Sequence, residues 1–297
     1  MMTLELHDIT WRQGGRDILH GITLPFGRGN VTAIIGPNGA GKSSLLRIAS
    51  GLSTPTGGKV MLDGRWIATL PARELARHRA MLTQESEAAG QFLVRQMVMM
   101  GAGMAAHKLD IVQQGLLADA LVRRVGLEGF ANRQMMTLSG GERQRAHLAR
   151  VLMQLEVAMT DGTLPGFLLL DEPISAQDPA HQAIVLQLAR QHAYRGGGVA
   201  IVLHDLNWAA ACADWLVVVH RGTIHAQGPP ETVLTQDLPA TFSGCGRAAS
   251  TATKKRPDPS SFPMTILTRK QTDVHRHEPL PGQTGMHGRI RTALAGT

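Results

Sequence analysis

The 297-residue sequence predicts an α/β fold, a mostly parallel sheet preceded by an antiparallel β segment and interrupted by a helical insertion. Three observations predict it. Short apolar runs of buried-strand type, Val31–Ile35, Phe167–Leu170 and Val199–Leu203, alternate with helical periodicities. Polar residues, Asp171, Glu172, His204 and Asp205, stand directly after two of those runs, at what would be the C-terminal edge of one sheet. That edge is where α/β folds place their sites. A Gly-rich stretch, Gly36–Ser44, joins the first run to a helix.

Taken in order, residues 3–26 hold two alternating stretches, Leu4–Thr10 and Ile18–Leu24, parted by the turn residues Gly14 and Gly15, the pattern of antiparallel strands. Trp11, just before that turn, is placed either to stack on a purine base or to pack half-buried. After Gly36–Ser44, the residues Ser44–Ala49 read as a helix with an apolar face, and Gly57–Gly64 as a strand with turns at both ends. Pro71 opens a short helix over 71–79, and Ala80–Thr83 is a strand ending at Gln84. From about 91 to 155 no strand pattern occurs, and the Met, Ala, Leu and Gln content reads as helical. Ser139 with two following glycines suits a helix start, and Ala146, Ala149, Leu152 and Met153 recur on one face. A helix over Ala180–Gln191 is broken by Gly196–Gly198, and Trp215–Val219 with Thr223–Gln227 flank Arg221–Gly222 as a hairpin.

Gly36-Pro37-Asn38-Gly39-Ala40-Gly41-Lys42-Ser43-Ser44 has the spacing G-x-x-x-x-G-K-[ST]. Glycines let the backbone wrap a phosphate chain where side chains would clash. The amides then form an anion nest, reinforced by the partial positive charge of a helix N-terminus. Lys42 would reach the β- and γ-phosphates and the Ser43 hydroxyl would ligate Mg²⁺. The loop therefore binds a nucleoside triphosphate. Asp171, ending a buried run, is placed to hold that Mg²⁺ beside Ser43, usually through water. Glu172, one residue on, is placed to orient or deprotonate the attacking water. His204 ends the next buried strand and would contact the γ-phosphate or the water, although a strand-end histidine is more often merely hydrogen-bonded.

Composition narrows the setting. Hydrophobic residues make up 43%, as in a globular protein. The two cysteines, Cys212 and Cys245, are far apart, which fits a reducing compartment and no disulfide framework. No apolar run approaches the roughly 18–20 residues that span a bilayer, and the N-terminus does not read as a signal peptide. The net charge of +7 divides unevenly: residues 1–239 carry 21 basic and 20 acidic residues, residues 240–297 carry 9 and 3. The near-neutral body gives no sign of a nucleic-acid partner. Residues 244–297 are rich in Ser, Thr, Gly, Pro and basic residues and read as a disordered, solvated tail.

With these motifs in hand, the sequence resembles an ATP-binding-cassette ATPase over about residues 2–239. The phosphate loop and Phe167–Glu172 match the two Walker motifs. Leu138-Ser139-Gly140-Gly141-Glu142 matches the family signature, with Glu where many members have Gln. Gln84 falls at the Q-loop, Ser175–Asp178 at the D-loop, His204 at the switch histidine, and Trp11 near the adenine-stacking position, usually Tyr. The resemblance implies a P-loop NTPase (RecA-like) core with an N-terminal β subdomain and a helical subdomain over about 88–155. It implies ATP hydrolysis with Mg²⁺ held by Ser43, Gln84 and Asp171, and catalysis by Glu172 with His204 and Gln84. In that family two cassettes face head to tail and each ATP lies between one phosphate loop and the partner's signature, so one loop and one signature per chain imply a homodimer. Ser139, Gly140 and Gly141 agree with this, presenting a second anion site at a helix start. Ile174 replaces a small polar residue after Glu172-Pro173 and Gln177 replaces the usual D-loop Leu, with modest effects on dimer-face packing expected. Importer ATPases of this size usually continue with strand-like sequence, so the tail reads either as an extension or as an altered reading frame.

Within the family, His204–Ala210 and Gly228–Leu234 resemble the importers of iron-siderophores, cobalamin and hemin. The long stretch Gln154–Gly166 between signature helix and Walker B, and Glu142, resemble the hemin-import members. The resemblance implies two transmembrane permease subunits, a periplasmic solute-binding protein acting indirectly, and a peripheral position on the cytoplasmic face of the inner membrane. Helices within 91–137, entered at Gln84, would dock on the permease. A soluble ATPase acting on nucleic acid or ribosomes is disfavoured by the single cassette, the lack of long heptads and the near-neutral body. A small-molecule kinase or GTPase leaves the signature and Gln84 unexplained.

Overall fold

The computed structural model describes residues 3–84, 91–103, 109–160, 162–175 and 177–234, which belong to a compact unit spanning 1–252. The expected tail, the start of the helical insertion near 88 and Ala176 of the D-loop lie outside the described residues.

Strand β1 (Thr3–Gln13) pairs antiparallel with β2 (Arg16–Gly27) across the turn at Gly14 and Gly15, both at positive φ. Strand β3 (Val31–Ile35) leaves for a second sheet, reaching helix α1 (Lys42–Ala49) through the glycine loop. Strand β4 (Gly57–Leu62) returns to pair with β1, and the short β5 (Arg65–Trp66) completes a four-stranded antiparallel sheet in the order β2-β1-β4-β5. Leu4, Leu6, Ile9, Leu19, Ile22 and Leu24 are buried while intervening residues are open, the alternation of a sheet with one face on a core.

Helix α2 (Ala72–His78) leads into β6 (Arg79–Leu82), followed by the helices α3 (Val94–Met99), α4 (Ile111–Arg124) and α5 (Gly140–Met159). The chain then alternates as expected: β7 (Phe167–Asp171), α6 (Pro179–Tyr194), β8 (Gly198–Val202), α7 (Leu206–Cys212), β9 (Trp215–His220), β10 (Thr223–Gly228) and α8 (Pro230–Val233). The second sheet has the order β10-β9-β3-β8-β7-β6 and is parallel except for the β9–β10 hairpin. Strands β3, β7 and β8 are buried along their whole length, which is why they read as continuous apolar runs. Their residues alternate between two cores. Val31, Ala33, Ile35, Leu168 and Leu170 pack with α3 to α7, whereas Ile34, Phe167 and Leu169 pack with α1 and the antiparallel sheet.

Helix starts follow side-chain chemistry. Asp110, Ser139, Asp178 and Asp205 each accept a backbone N–H from the first turn of α4, α5, α6 and α7. Ser139 and Glu142 close a reciprocal capping box, with the Ser139 N–H donating to Glu142 Oε2 at 2.7 Å.

Of the stretch Gln154–Gly166 that precedes Walker B, Gln154–Met159 continue α5, because Leu155, Val157 and Ala158 bury on the core. Gln154 Nε2 donates to the carbonyls of Ala76 and Arg79, and Glu156 takes ion pairs from Arg124 and Arg195, so the extra turns are tied to α2, β6, α4 and the end of α6. Ile174 is 6% exposed and belongs to the larger core; an apolar side chain there gains more from burial than from solvent.

His192 gives the fold a pH dependence. It is 5% exposed and its Nε2 lies 2.8 Å from the Gly166 carbonyl. Burial, opposed by that carbonyl and by Glu156, holds the imidazole below its ordinary value of 6.5. As pH falls below that value the unfolded chain takes up a proton that the native side chain refuses. The stability His192 contributes is therefore present above the ordinary value and is lost as pH falls through the lower native one. Melting temperature followed through the histidine range should decline with acidification, and His192→Gln should flatten that decline; an identical slope in the variant would remove His192 as the cause.

Candidate functional site

The glycine loop, the C-terminal ends of β7 and β8, the β1–β2 turn and the β9–β10 turn converge on one open cleft of about 840 Å³. Its lining includes Asn38 to Ser44, Gln84, Glu172 and His204. The loop requires its glycines. A Cβ on Gly36 would lie 2.2 Å from the Val219 carbonyl oxygen, and one on Gly41, which has φ +101°, would lie 2.7 Å from Leu19 Cδ2. Gly36→Ala should therefore displace the loop from β9, destabilising the chain by about 1–3 kcal/mol, the usual cost of overpacking. Thermal denaturation and nucleotide titration check this; a wild-type melting point with wild-type affinity would show that β9 yields freely.

Lys42 is 5% exposed, and its Nζ donates to the carbonyls of Gly36 at 2.9 Å and Pro37 at 3.0 Å. The ammonium is thus folded back over the loop it belongs to. Burial lowers its pKa, while Glu172 and Asp171 pull it upward. Ser43 Oγ donates to Asp171 Oδ1 at 2.9 Å, which joins the helix start to the end of β7. Asp171 is 3% exposed, and its carboxyl is raised above the usual range by burial. The Ser43 bond and the charges of Lys42 and Arg47 oppose that rise, and Glu172 adds to it.

Glu172 stands at the centre of the polar contacts. Its Oε2 accepts from Gln84 Nε2 at 3.1 Å, and its Oε1 lies 2.6 Å from His204 Nε2. Both partners come from strand ends, Gln84 beyond β6 and His204 beyond β8, which flank β7 in the sheet. The parallel order β8-β7-β6 thus brings three residues far apart in sequence to one point. Glu172 has φ +49°, a left-handed conformation uncommon in a residue with a Cβ.

Of the residues expected from sequence, Gly39, Ala40, Gly41, Lys42, Ser43, Ser44, Asn38, Gln84, Glu172 and His204 line the cleft, while Gly36, Pro37 and Asp171 lie beside it through their bonds to Lys42 and Ser43. Trp11 does not line it. Trp11 is half-buried, faces Leu19 across the β1–β2 ladder and packs on the smaller core. The far end of the cleft is instead lined by Gln13, Arg16, Asp17, Ile18, His20 and Arg221. These sit on ordinary turns and strand ends, and nothing in their local pattern marks them. Leu138, Ser139, Gly140, Gly141 and Glu142 are at the start of α5, outside the cleft lining, and Asp178 caps α6. Gln144 was also missed: its Nε2 donates to the Glu172 carbonyl at 2.8 Å.

A hydroxyl, a buried lysine, two adjacent carboxylates and a histidine around an amide-lined loop are suited to binding and transferring a phosphoryl group. The profile of the ABC transporter family matches residues 19–175. The chain is 43% identical to the hemin import ATP-binding protein HmuV of Rhizobium meliloti (strain 1021), covering 82% of this chain and 92% of that one. It is 44% identical to the protein of the same name from Rhodopseudomonas palustris (strain HaA2), over 79% of this chain and 88% of that one. Among solved structures, an ATP binding subunit of an ABC transporter superposes with a TM-score of 0.67 at 23% identity, covering 77% of this chain and 91% of that one. A bacterial Atm1-family ABC exporter with ATP bound gives 0.68 at 24% identity, covering 80% and 40%; these two likenesses concern the fold alone. On the profile match and on relatives that share over two-fifths of their residues along most of both chains, this chain belongs to the ABC transporter family, as one of its ATP-hydrolysing subunits.

Proposed function

We propose that the chain powers hemin import, hydrolysing ATP as one half of a homodimer bound to two permease subunits at the inner face of the membrane. The observation that carries the catalytic part is the convergence of Gln84, Glu172 and His204 at the mouth of the phosphate loop, beside the Ser43–Asp171 bond. The hemin part is supported by relatives at 40–47% identity that bear the hemin-import name. Among the described residues no helix is long and apolar enough to cross a membrane.

In this reading the loop amides and Lys42 hold the phosphates, and Lys42 exchanges its two carbonyl partners for phosphate oxygens. Ser43 and Asp171 offer adjacent hard oxygens of the kind Mg²⁺ prefers, and the buried carboxyl of Asp171 gains from a cation beside it. Ser43, Asp171 and Gln84 would hold that ion, which when bound neutralises charge on the phosphates. Glu172 takes the proton of the attacking water as the new P–O bond forms and the bond to ADP breaks. His204 and Gln84 keep the Glu172 carboxylate aimed, and His204 contacts the γ-phosphate when the site closes. Leu138–Glu142, at the start of α5, act on the ATP held by the partner copy. Asp178, at the D-loop position, caps the start of α6.

Deletion of the gene in its host tests the substrate. Growth on hemin as the iron source should fail while growth on ferric siderophores and cobalamin uptake persist, and the wild-type gene should restore it. Normal growth on hemin, with loss of one of the other two, would overturn the assignment.

A further inference from the structure

Glu172 is held from two sides. In front, Gln84 and His204 take its carboxylate oxygens. Behind, its carbonyl accepts from Gln144 Nε2 at 2.8 Å and from Ser175 Oγ at 3.1 Å. The rear contact belongs to a longer chain of amides. Gln144 Oε1 accepts from Gln177 Nε2 at 3.2 Å, and that nitrogen also donates to the Pro173 carbonyl at 2.8 Å. Gln182 Nε2 donates to the carbonyls of Gln177 at 3.0 Å and Ile174 at 3.2 Å, while its Oε1 accepts from Trp208 Nε1 at 2.8 Å. Trp208 N–H in turn donates to Asp205, the neighbour of His204. The series leaves the Glu172 peptide and ends at Asp205, next in sequence to the histidine that touches its carboxylate.

The orientation of these amides is determined. A backbone carbonyl only accepts, so Gln144 must turn its nitrogen to Glu172 and its oxygen to Gln177. Gln177 must then present nitrogen, which the Pro173 carbonyl demands independently. Two requirements agree on one arrangement, and no leucine at 177 could satisfy either. A left-handed backbone at a residue with a Cβ relaxes unless neighbours hold it. The carbonyl of Glu172 is where these neighbours take hold.

We propose that Gln144 and Gln177 are positioning residues for hydrolysis. They clamp the Glu172 peptide in its left-handed turn and tie it to α5 on one side and to the segment leading into α6 on the other. The aim of the carboxylate thereby depends on where that segment sits. The inference rests on Glu172 as the general base, and the experiment separates the two.

The full-length chain is assayed for kcat and KM with ATP, for nucleotide affinity and for melting temperature. Gln144→Leu should lower kcat by about 10- to 100-fold, the scale on which small misplacements of a catalytic group act, with melting temperature and affinity near wild type. Gln177→Leu should lower kcat by about 3- to 10-fold, and the double variant should fall no further than Gln144→Leu, since residues acting through one contact are not additive. Gln144→Glu supplies a readout that a merely structural role would not move. An ionised carboxylate has no proton to give the Glu172 carbonyl, so its activity relative to wild type should recover as pH falls and the carboxyl regains a donor. The leucine variant should show no such recovery. If Gln144→Leu does not fold, the half-buried Gln177→Leu and the pH profile decide. Wild-type kcat in both leucine variants while Glu172→Gln is inactive would overturn the positioning role alone. Full activity in Glu172→Gln would overturn the base assignment and this inference with it. Strictly additive losses would show that Gln177 does not act through Gln144.

Discussion

Glu172→Gln should bind ATP with affinity near that of the native chain, accumulate as an ATP-bound dimer and turn over about 10²- to 10⁴-fold more slowly, the range that a positioned general base contributes. The substitution keeps the shape and the contact with His204 while removing the group that takes the proton. It also removes one negative charge from beside Asp171, whose carboxyl Glu172 pushes upward. Binding should therefore be spared, because less negative charge faces the incoming phosphates. Single-turnover hydrolysis with size-exclusion analysis in ATP reads both effects together. Full hydrolysis would remove Glu172 from the base role, and a slow variant that stays monomeric in ATP would remove the composite site.

Lys42→Ala should weaken nucleotide binding by about 10- to 100-fold, the loss expected for a hydrogen bond to a charged group, and turnover should fall at least as far. Lys42 is buried in the cleft floor and already dehydrated, so its charge acts on phosphates with little screening. Stability should change far less than affinity. The ammonium loses solvation on burial, which the charges of Glu172 and Asp171 only partly offset, so its removal relieves one cost while leaving the Gly36 and Pro37 carbonyls open to water in the cleft. Nucleotide titration beside thermal melting separates the two quantities. Unchanged affinity and kinetics would overturn the assignment of the loop.

Much of the molecule was legible because its code is local. A strand buried on both faces must be apolar throughout, and Val31–Ile35 and Phe167–Leu170 are. A loop that wraps phosphate must lack side chains, and Gly36 and Gly41 lack them where Val219 and Leu19 press close. Ser139 and Glu142 announce the start of α5 by a reciprocal bond three residues long. The extension of α5 through Gln154–Met159 was less plain, since its apolar positions only make sense once α2 and β6 lie beneath them.

What the sequence by itself determined is therefore the order of strands and helices, the phosphate loop, and the residue types at the strand ends: these follow from periodicity, turn chemistry and the bonding capacity of each side chain. Only the tertiary structure decided which of those residues meet. The order β8-β7-β6 sets His204 and Gln84 on either side of Glu172 across 120 residues of chain. The packing of β1 on β2 and the smaller core takes Trp11 away from the cleft lining and leaves Arg16 and His20 there instead. The bond from Gln144 to a carbonyl 28 residues away turns an unremarked helix residue into a support for the site. Contacts of this kind depend on distances between elements, which no local pattern encodes.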